Sequence, residues 1–461
     1  MNNLTSFQRK MIYMVGMIVL LAICSLLGQP SDQSIGTGGR PGNGGVVSDL
    51  REEYKLGDTT LGNVDPASST MNLVLLGFRG IAASILWNDA EHYKMTKNWS
   101  QLQQTADSIT LLQPHFKKVW EYQAWNLGFN VSSECDAVQD RYYWVKQGAK
   151  YLQKGTRTNT QFPELYFECG RFYGQKIGRA DEKEQFRKFF VKDPDTARWL
   201  GKADGDINPD SKDNYLVAKD WYLKANSALE SGELEQHKMD LPLFVAYPYH
   251  SQMDYATARE EDGNFDADAL NAWATAYKEW ILEFGQKVFP AAGNGIKFTL
   301  EGTRADLEKM SKEDGQSLDA KLQWQTRYHA TINYDYWKTR CIAEQKQAMV
   351  DVRRDFYLGK KAFKEEGDLP KAGTILEHGT AGLLAVMNLP EFGKNGDGKS
   401  VLLYSDNQLA EDAIKTLLIL ERVRDGLPMG DYPLKELWED PYFAPKKDEL
   451  REKFNRWAGE N

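Results

Sequence analysis

The sequence predicts an all-α protein, built as an α-solenoid of helix pairs behind one N-terminal transmembrane helix. Three observations predict the all-α class, while the solenoid rests on an internal repeat and the transmembrane helix on the N-terminal run. Apolar residues recur with a period near 3.6 through most of the chain beyond residue 70, strand-like alternation is scarce, and Gly or Pro breakers fall between the helical patterns. Hydrophobic residues make up 41% of the 461 and charged residues 27%, so most of the chain can bury a core. At roughly 150 residues per domain the length allows about three domains or one extended repeat array. Lys plus Arg is 57 against 66 Asp plus Glu, a net charge of −9. That balance argues against neutralising phosphate backbones, and no nucleic-acid partner is expected.

Met11–Leu27 reads MIYMVGMIVLLAICSLL and carries no charge; Arg9 and Lys10 precede it, and no acid comes before Asp32. As a helix such a run rises about 25 Å, the lower end of what spans a bilayer. Residues 11–28 are therefore expected to anchor the chain in a membrane, with 1–10 as a cytoplasmic tail and the folded part on the extracytoplasmic (periplasmic) side. A cleaved signal peptide is the rival reading, but no small-x-small site follows the run cleanly. A lipoprotein site at Cys24 would put bulky Ile23 where a small residue belongs. Residues 29–70 read as a flexible linker, since seven of the 38 Gly fall between Gly28 and Gly45. Met71–Trp87 is apolar too, but Arg79 at its middle favours a buried helix at the start of the folded domain over a second span.

Helical faces follow. Val138, Tyr142, Val145, Ala149 and Leu152 form one; Trp273, Tyr277, Trp280 and Phe284 repeat the spacing with aromatics. Ile296–Leu300 is the best strand candidate and is short. Asn98-Trp99-Ser100-Gln101-Leu102 leads a helix that ends Leu111-Leu112-Gln113-Pro114, and Trp120 follows six residues after that Pro. Leu86 and Tyr93 sit one unit earlier, and Ala106 and Ile109 occupy the packing positions of the second helix. Pro163 opens a third unit with Tyr166, Gly170 and Tyr173; a late unit carries Phe356, Phe363, Gly367-Asp368, Ala372, Leu376 and Gly379.

These spacings resemble the tetratricopeptide repeat (TPR), in which a Pro closes one helix pair and a large residue opens the next. The resemblance covers about half the chain, in blocks near 76–177 and 350–386. The second unit runs about a dozen residues beyond the usual 34. The expected organisation is TPR-like pairs over 71–177, a helical middle region over 178–349 and further TPR-like helices over 350–461. Asn333-Tyr334-Asp335-Tyr336-Trp337 is expected within one long helix outside the repeat. Through FRGIAASILW, WEYQAWNLGFN and NYDYWKTRCIAEQ the whole sequence resembles a bacterial family of membrane-anchored TPR-like proteins whose members mostly lack a defined activity. Some are labelled as iron-responsive, but nothing here has metal-ligand spacing.

The resemblance implies a scaffold or adaptor for an as yet unknown protein partner, with a concave face between stacked helix pairs. In the repeat register Trp87, Glu91, Glu121, Trp125, Phe167 and Arg171 fall on that face. Trp beside Glu and Arg suits a peptide, or alternatively an envelope glycan. No catalytic activity, cofactor or metal is expected. Gly393, Gly398, Lys399 and Ser400 match a P-loop pattern, the basis of an alternative nucleotide-binding reading. The context is wrong for it, because Pro390 interrupts any preceding strand and Leu417–Glu421 lies in a helical pattern. Asp262–Asp268 resembles a calcium loop only faintly and reads as a helix-start turn. The His residues are scattered, and Cys135 and Cys169 could pair in an oxidising compartment or stay buried thiols.

Overall fold

The computed structural model describes residues 6–27, 79–231, 239–291, 295–426, 432 and 434–458. The expected linker over 29–70 and residues 71–78 of the second apolar stretch lie outside these. The described part is mostly helical, with one two-stranded sheet. Helix α1 spans Ser6–Leu27. Its described side chains end at Leu20, and from Met11 to Leu20 all are exposed. Among the described residues no helix is long and apolar enough to cross a membrane.

The chain divides into two compact units, one of Met1–Ser211 with Lys224–His237, the other of Lys212–Leu223 with Lys238–Asn461. The middle region expected over 178–349 is thus shared between them. The first unit holds α2 (Arg79–Met95), α3 (Trp99–Leu112), α4 (Lys117–Trp125), α5 (Val138–Thr158), α6 (Pro163–Arg171), α7 (Lys183–Val191) and the short α8 (Thr196–Trp199). The next helix, α9 (Asn214–Ser231), carries the boundary between the units.

Consecutive helices of the first unit pack in pairs. On α2 the small residues Ala82, Ala83 and Ala90 are buried with Leu86, and α3 meets them with Leu102 and Ile109. Ala106 is buried beside that face, and Asn98 caps α3 by accepting from the Gln101 amide. Both α4 and α6 run into π-helical turns, at Asn126–Val131 and Phe172–Ile177. The second helix starts 46 residues after the first (117 to 163), and so does its π turn (126 to 172). Against these helices α5 buries Tyr142, Val145, Ala149 and Leu152, the face its period predicts. Gly148 on α5 is required by close approach. A Cβ there would lie 2.7 Å from the Ala124 carbonyl oxygen and 2.8 Å from the Phe172 ring.

The second unit opens with α10 (Leu241–Glu261) and α11 (Ala267–Tyr277), which continues as a π turn at Lys278–Phe284. Asp266 caps α11 by accepting from the Ala269 amide, so the calcium-like segment is a helix start. A hairpin follows, β1 (Val288–Pro290) antiparallel to β2 (Lys297–Thr299), with Phe289 opposite Phe298. Thus β2 falls on the strand candidate. Trp273, Trp280 and Phe284 are wholly buried in one aromatic core with Phe298 and Tyr334. Next come α12 (Arg304–Asp314), α13 (Leu318–Ile332), α14 (Tyr334–Glu344), α15 (Gln347–Lys361), α16 (Leu369–Met387), α17 (Val401–Ser405), α18 (Asn407–Val423), α19 (Lys435–Glu439) and α20 (Ala444–Ala458).

The long helix expected through 333–337 is two helices. Asn333 has φ 54°, a left-handed conformation that Asn tolerates better than most residues, and it ends α13 and starts α14. The late repeat-like unit is the pair α15 and α16. Gly359 lies directly against Leu376, and Gly379 against Asp355 and Phe356, so the helices touch through glycines.

Candidate functional site

A cavity of about 580 Å³ opens in the first unit, built from α2, α4, α5 and α6. Lys118, Glu121, Tyr122 and Trp125 line it from α4, at the three- and four-residue spacings that share one helix face. Phe129 extends this face from the π turn. Glu168, Arg171, Phe172 and Gln175 line it from α6 and its π turn. Tyr122 and Glu168 are related by the 46-residue offset, as are Trp125 and Arg171, and Phe129 and Gln175. Faces of α4 and α6 at this constant offset therefore make the two walls. Trp87 of α2 and Phe116 complete the aromatic surface.

The rings are ordered against one another. Trp125 stacks on Phe129 at 5.6 Å and 16°; Trp87 meets Tyr122 edge-on at 5.5 Å; Phe129 meets Phe172 edge-on at 6.0 Å. Trp125 and Phe116 nevertheless stay 47% and 48% exposed, so these two large rings present unburied apolar area to the cavity. Charged side chains around them are paired within the protein. Arg171 donates from Nε and Nη2 to Glu168 at 2.9 and 2.6 Å, and Lys118 pairs with Glu121. Burial pushes the Glu168 carboxyl above its usual range, against the opposing pull of Arg171. Burial likewise pushes up the Tyr122 phenol. The Tyr122 hydroxyl donates to Glu91 at 3.5 Å, and Lys94 reaches the same Glu at 3.5 Å.

Of the six residues read from the repeat register, Trp87, Glu121, Trp125 and Arg171 line this cavity, while Glu91 stands behind Tyr122. Phe167 does not face the cavity and is only 4% exposed. Its neighbour Glu168 takes the wall position instead. An apolar ring gains by burial, whereas the carboxylate keeps its partner Arg171 one turn on. Register reasoning missed Phe116, Tyr122 and Phe129. The last lies four residues beyond Trp125, a helical spacing that was open to reading.

The P-loop-like segment is a turn between α16 and α17, closed by a bridge between Lys394 and Ser400. Asn395 accepts from the Asp397 and Lys399 amides at 3.0 and 2.9 Å, and the Ser400 amide donates to Glu436 at 3.0 Å. The Lys399 ammonium lies 3.0 Å from Asp440 and 4.8 Å from the Tyr404 ring centre. The Asp397, Lys399 and Ser400 amides and the Lys399 ammonium, which would hold a phosphate, are thus engaged by the protein's own side chains. Leu417–Glu421 lies inside α18. Among the described residues no cluster of His, Cys, Asp or Glu could hold a metal ion, and Cys135, Cys169 and Cys341 are free thiols.

No known protein family, curated protein or solved structure matches the chain.

Proposed function

We propose that this protein is a membrane-anchored, TPR-like scaffold or adaptor whose first unit grips a protein partner in the aromatic groove. The partner inserts an apolar side chain between Trp125 and Phe116. The observation that carries this reading is the groove itself: two half-exposed rings, Trp125 stacked on Phe129 and Phe116 on the same cavity, with the flanking charges already paired. Rigid aromatic surface next to Arg is the usual composition of a binding hot spot. Because Glu121 and Glu168 already have cations, an apolar anchor fits better than a charged one. The two walls at a 46-residue offset support a solenoid reading, since stacking like units is how repeat proteins generate a concave face.

The anchor is α1. The charge-free run from Met11 to Leu27, whose described side chains reach Leu20 and are exposed, supports a single crossing, with the N-terminus cytoplasmic and the folded part from Arg79 onward on the periplasmic side. No reaction is assigned to the chain. The test is co-purification of the full chain from gently solubilised membranes, wild type against Trp125→Ala. A partner present with wild type and lost with the variant supports the groove; an unchanged set of partners removes it. Protease added to spheroplasts should digest the folded part, and its protection would reverse the topology.

A further inference from the structure

A second cavity, of about 950 Å³, lies wholly within the second unit and has a different construction. Its walls come from the junction of α13 and α14, the first two turns of α18 and the start of α20. Asn333, Tyr336, Asn407, Gln408, Asp412 and Tyr442 supply its amides, hydroxyls, a carboxylate and ring faces. Three of these groups are held from behind by buried guanidinium groups. Arg340, 1% exposed, donates from Nη1 to the Tyr336 hydroxyl at 3.1 Å and to the Gln408 side-chain oxygen. Its guanidinium lies over the Trp273 and Trp337 rings at 5.3 and 5.7 Å. Arg353, also buried, donates from Nη1 to Asp412 at 2.9 Å and from Nε to wholly buried Glu344 at 3.0 Å.

Burying two guanidinium groups is no cheap route to stability, because an apolar filling of similar volume does as well or better. What it achieves here is fixed orientation of polar groups at a cavity wall, the arrangement that binding sites need. The ring of Tyr442 is prepared in the same way. It lies 4.9 Å from Tyr404 and edge-on to Phe443 at 5.0 Å and 88°, yet remains 56% exposed. A held ring with an open side is a stacking platform.

The charges around this cavity select the ligand class. Glu411 pairs with Lys415 at 2.8 Å and Lys446 at 3.0 Å, Glu449 pairs with Lys453 at 2.5 Å, and Asp412 pairs with Arg353. Each of these carboxylates has its cation, so a charged ligand gains little, while amides, hydroxyls and ring faces reward a ligand rich in hydroxyls. We propose that this cavity binds a neutral saccharide, with a sugar ring on Tyr442 and its hydroxyls shared among Asn333, Asn407, Gln408 and Asp412. A volume of about 950 Å³ is room for a disaccharide.

The test uses the full chain in a detergent without sugar headgroups, titrated separately with cellobiose, maltose and diacetylchitobiose. Binding is followed by calorimetry and by saturation-transfer NMR. Saturable binding of at least one disaccharide is expected, weakened about tenfold or more by Tyr442→Ala and by Asn407→Ala. Both side chains are exposed, and circular dichroism checks that the variants fold. Trp125→Ala in the other unit should leave sugar binding unchanged, which separates this proposal from the groove. Absence of saturable binding by all three sugars overturns the proposal. So does binding that survives both substitutions, or a site that takes spermidine or inorganic phosphate in place of the sugars.

Discussion

The two cavities solve the problem of presenting a surface in opposite ways. In the first unit the wall is apolar and its charges are local pairs between residues three apart on one helix, Lys118 with Glu121 and Glu168 with Arg171. In the second unit the wall is polar, and its groups are tied through buried Arg340 and Arg353 to side chains on other helices. The first arrangement costs less to disturb, because the cation of each pair is largely solvated. The second is brittle, since removing the Arg353 guanidinium leaves buried Glu344 without its cation. A surface for a macromolecule can be built from rings on a repeat, whereas a site that orients hydroxyl groups needs polar atoms fixed from within.

The largest expected effect tests the brittle side. Arg353→Met strands Glu344 and should lower stability in denaturant by about 3–5 kcal/mol. Adding Glu344→Gln should restore a substantial part of that. If Arg353→Met alone costs about 1 kcal/mol or less, the network is dispensable and the contrast fails.

Next in size is the packing beneath the groove. Gly148→Ala forces a methyl against the Ala124 carbonyl and the Phe172 ring, and should cost about 1–3 kcal/mol. Because Phe172 forms part of the groove wall, partner binding should weaken in the same variant. A fully stable variant with unchanged binding would show that the walls are not set by this contact.

These two sites were not equally legible in the sequence. Trp87, Glu121, Trp125 and Arg171, which line the first cavity, were within reach through the repeat register that the resemblance implies. Phe167 was misplaced because a one-residue rotation of α6 exchanges it with Glu168, and no spacing rule fixes a helix's rotation that finely. The helix break at Asn333 was hidden because Asn in the left-handed conformation looks like any helical polar residue. The polar cavity was not legible at all. Arg340, Glu344 and Arg353 lie in ordinary charged helical sequence, and charged residues are by default exposed. Only the packing of α10, α11, α14, α15 and α18 around them shows that they are buried.

A smaller effect separates the P-loop-like turn from both cavities. The Asp440 carboxyl is held down to about 2, first by the Tyr404 hydroxyl, then by the Tyr442 amide and Lys399. An ordinary carboxyl titrates near pH 3.9, so this stabilisation is complete above about pH 4 and is lost as the pH falls through 2. Asp440→Asn should therefore be less stable than wild type above about pH 4, with the gap closing toward pH 2. Lys399→Ala should change stability by about 0.5 kcal/mol or less, as expected at an exposed turn. Mg²⁺ with ATP should not shift the melting temperature; a saturable shift lost in Lys399→Ala would reinstate nucleotide binding.

The most direct measurement of the central claim is Trp125→Ala in the full chain, read for both stability and co-purifying protein. A half-exposed ring at a binding surface predicts a stability loss of about 1 kcal/mol or less, together with loss of a partner that wild type retains. A stability loss of about 3 kcal/mol or more, the cost of deleting a core Trp, would contradict the groove. So would an unaltered set of partners on a fully stable variant.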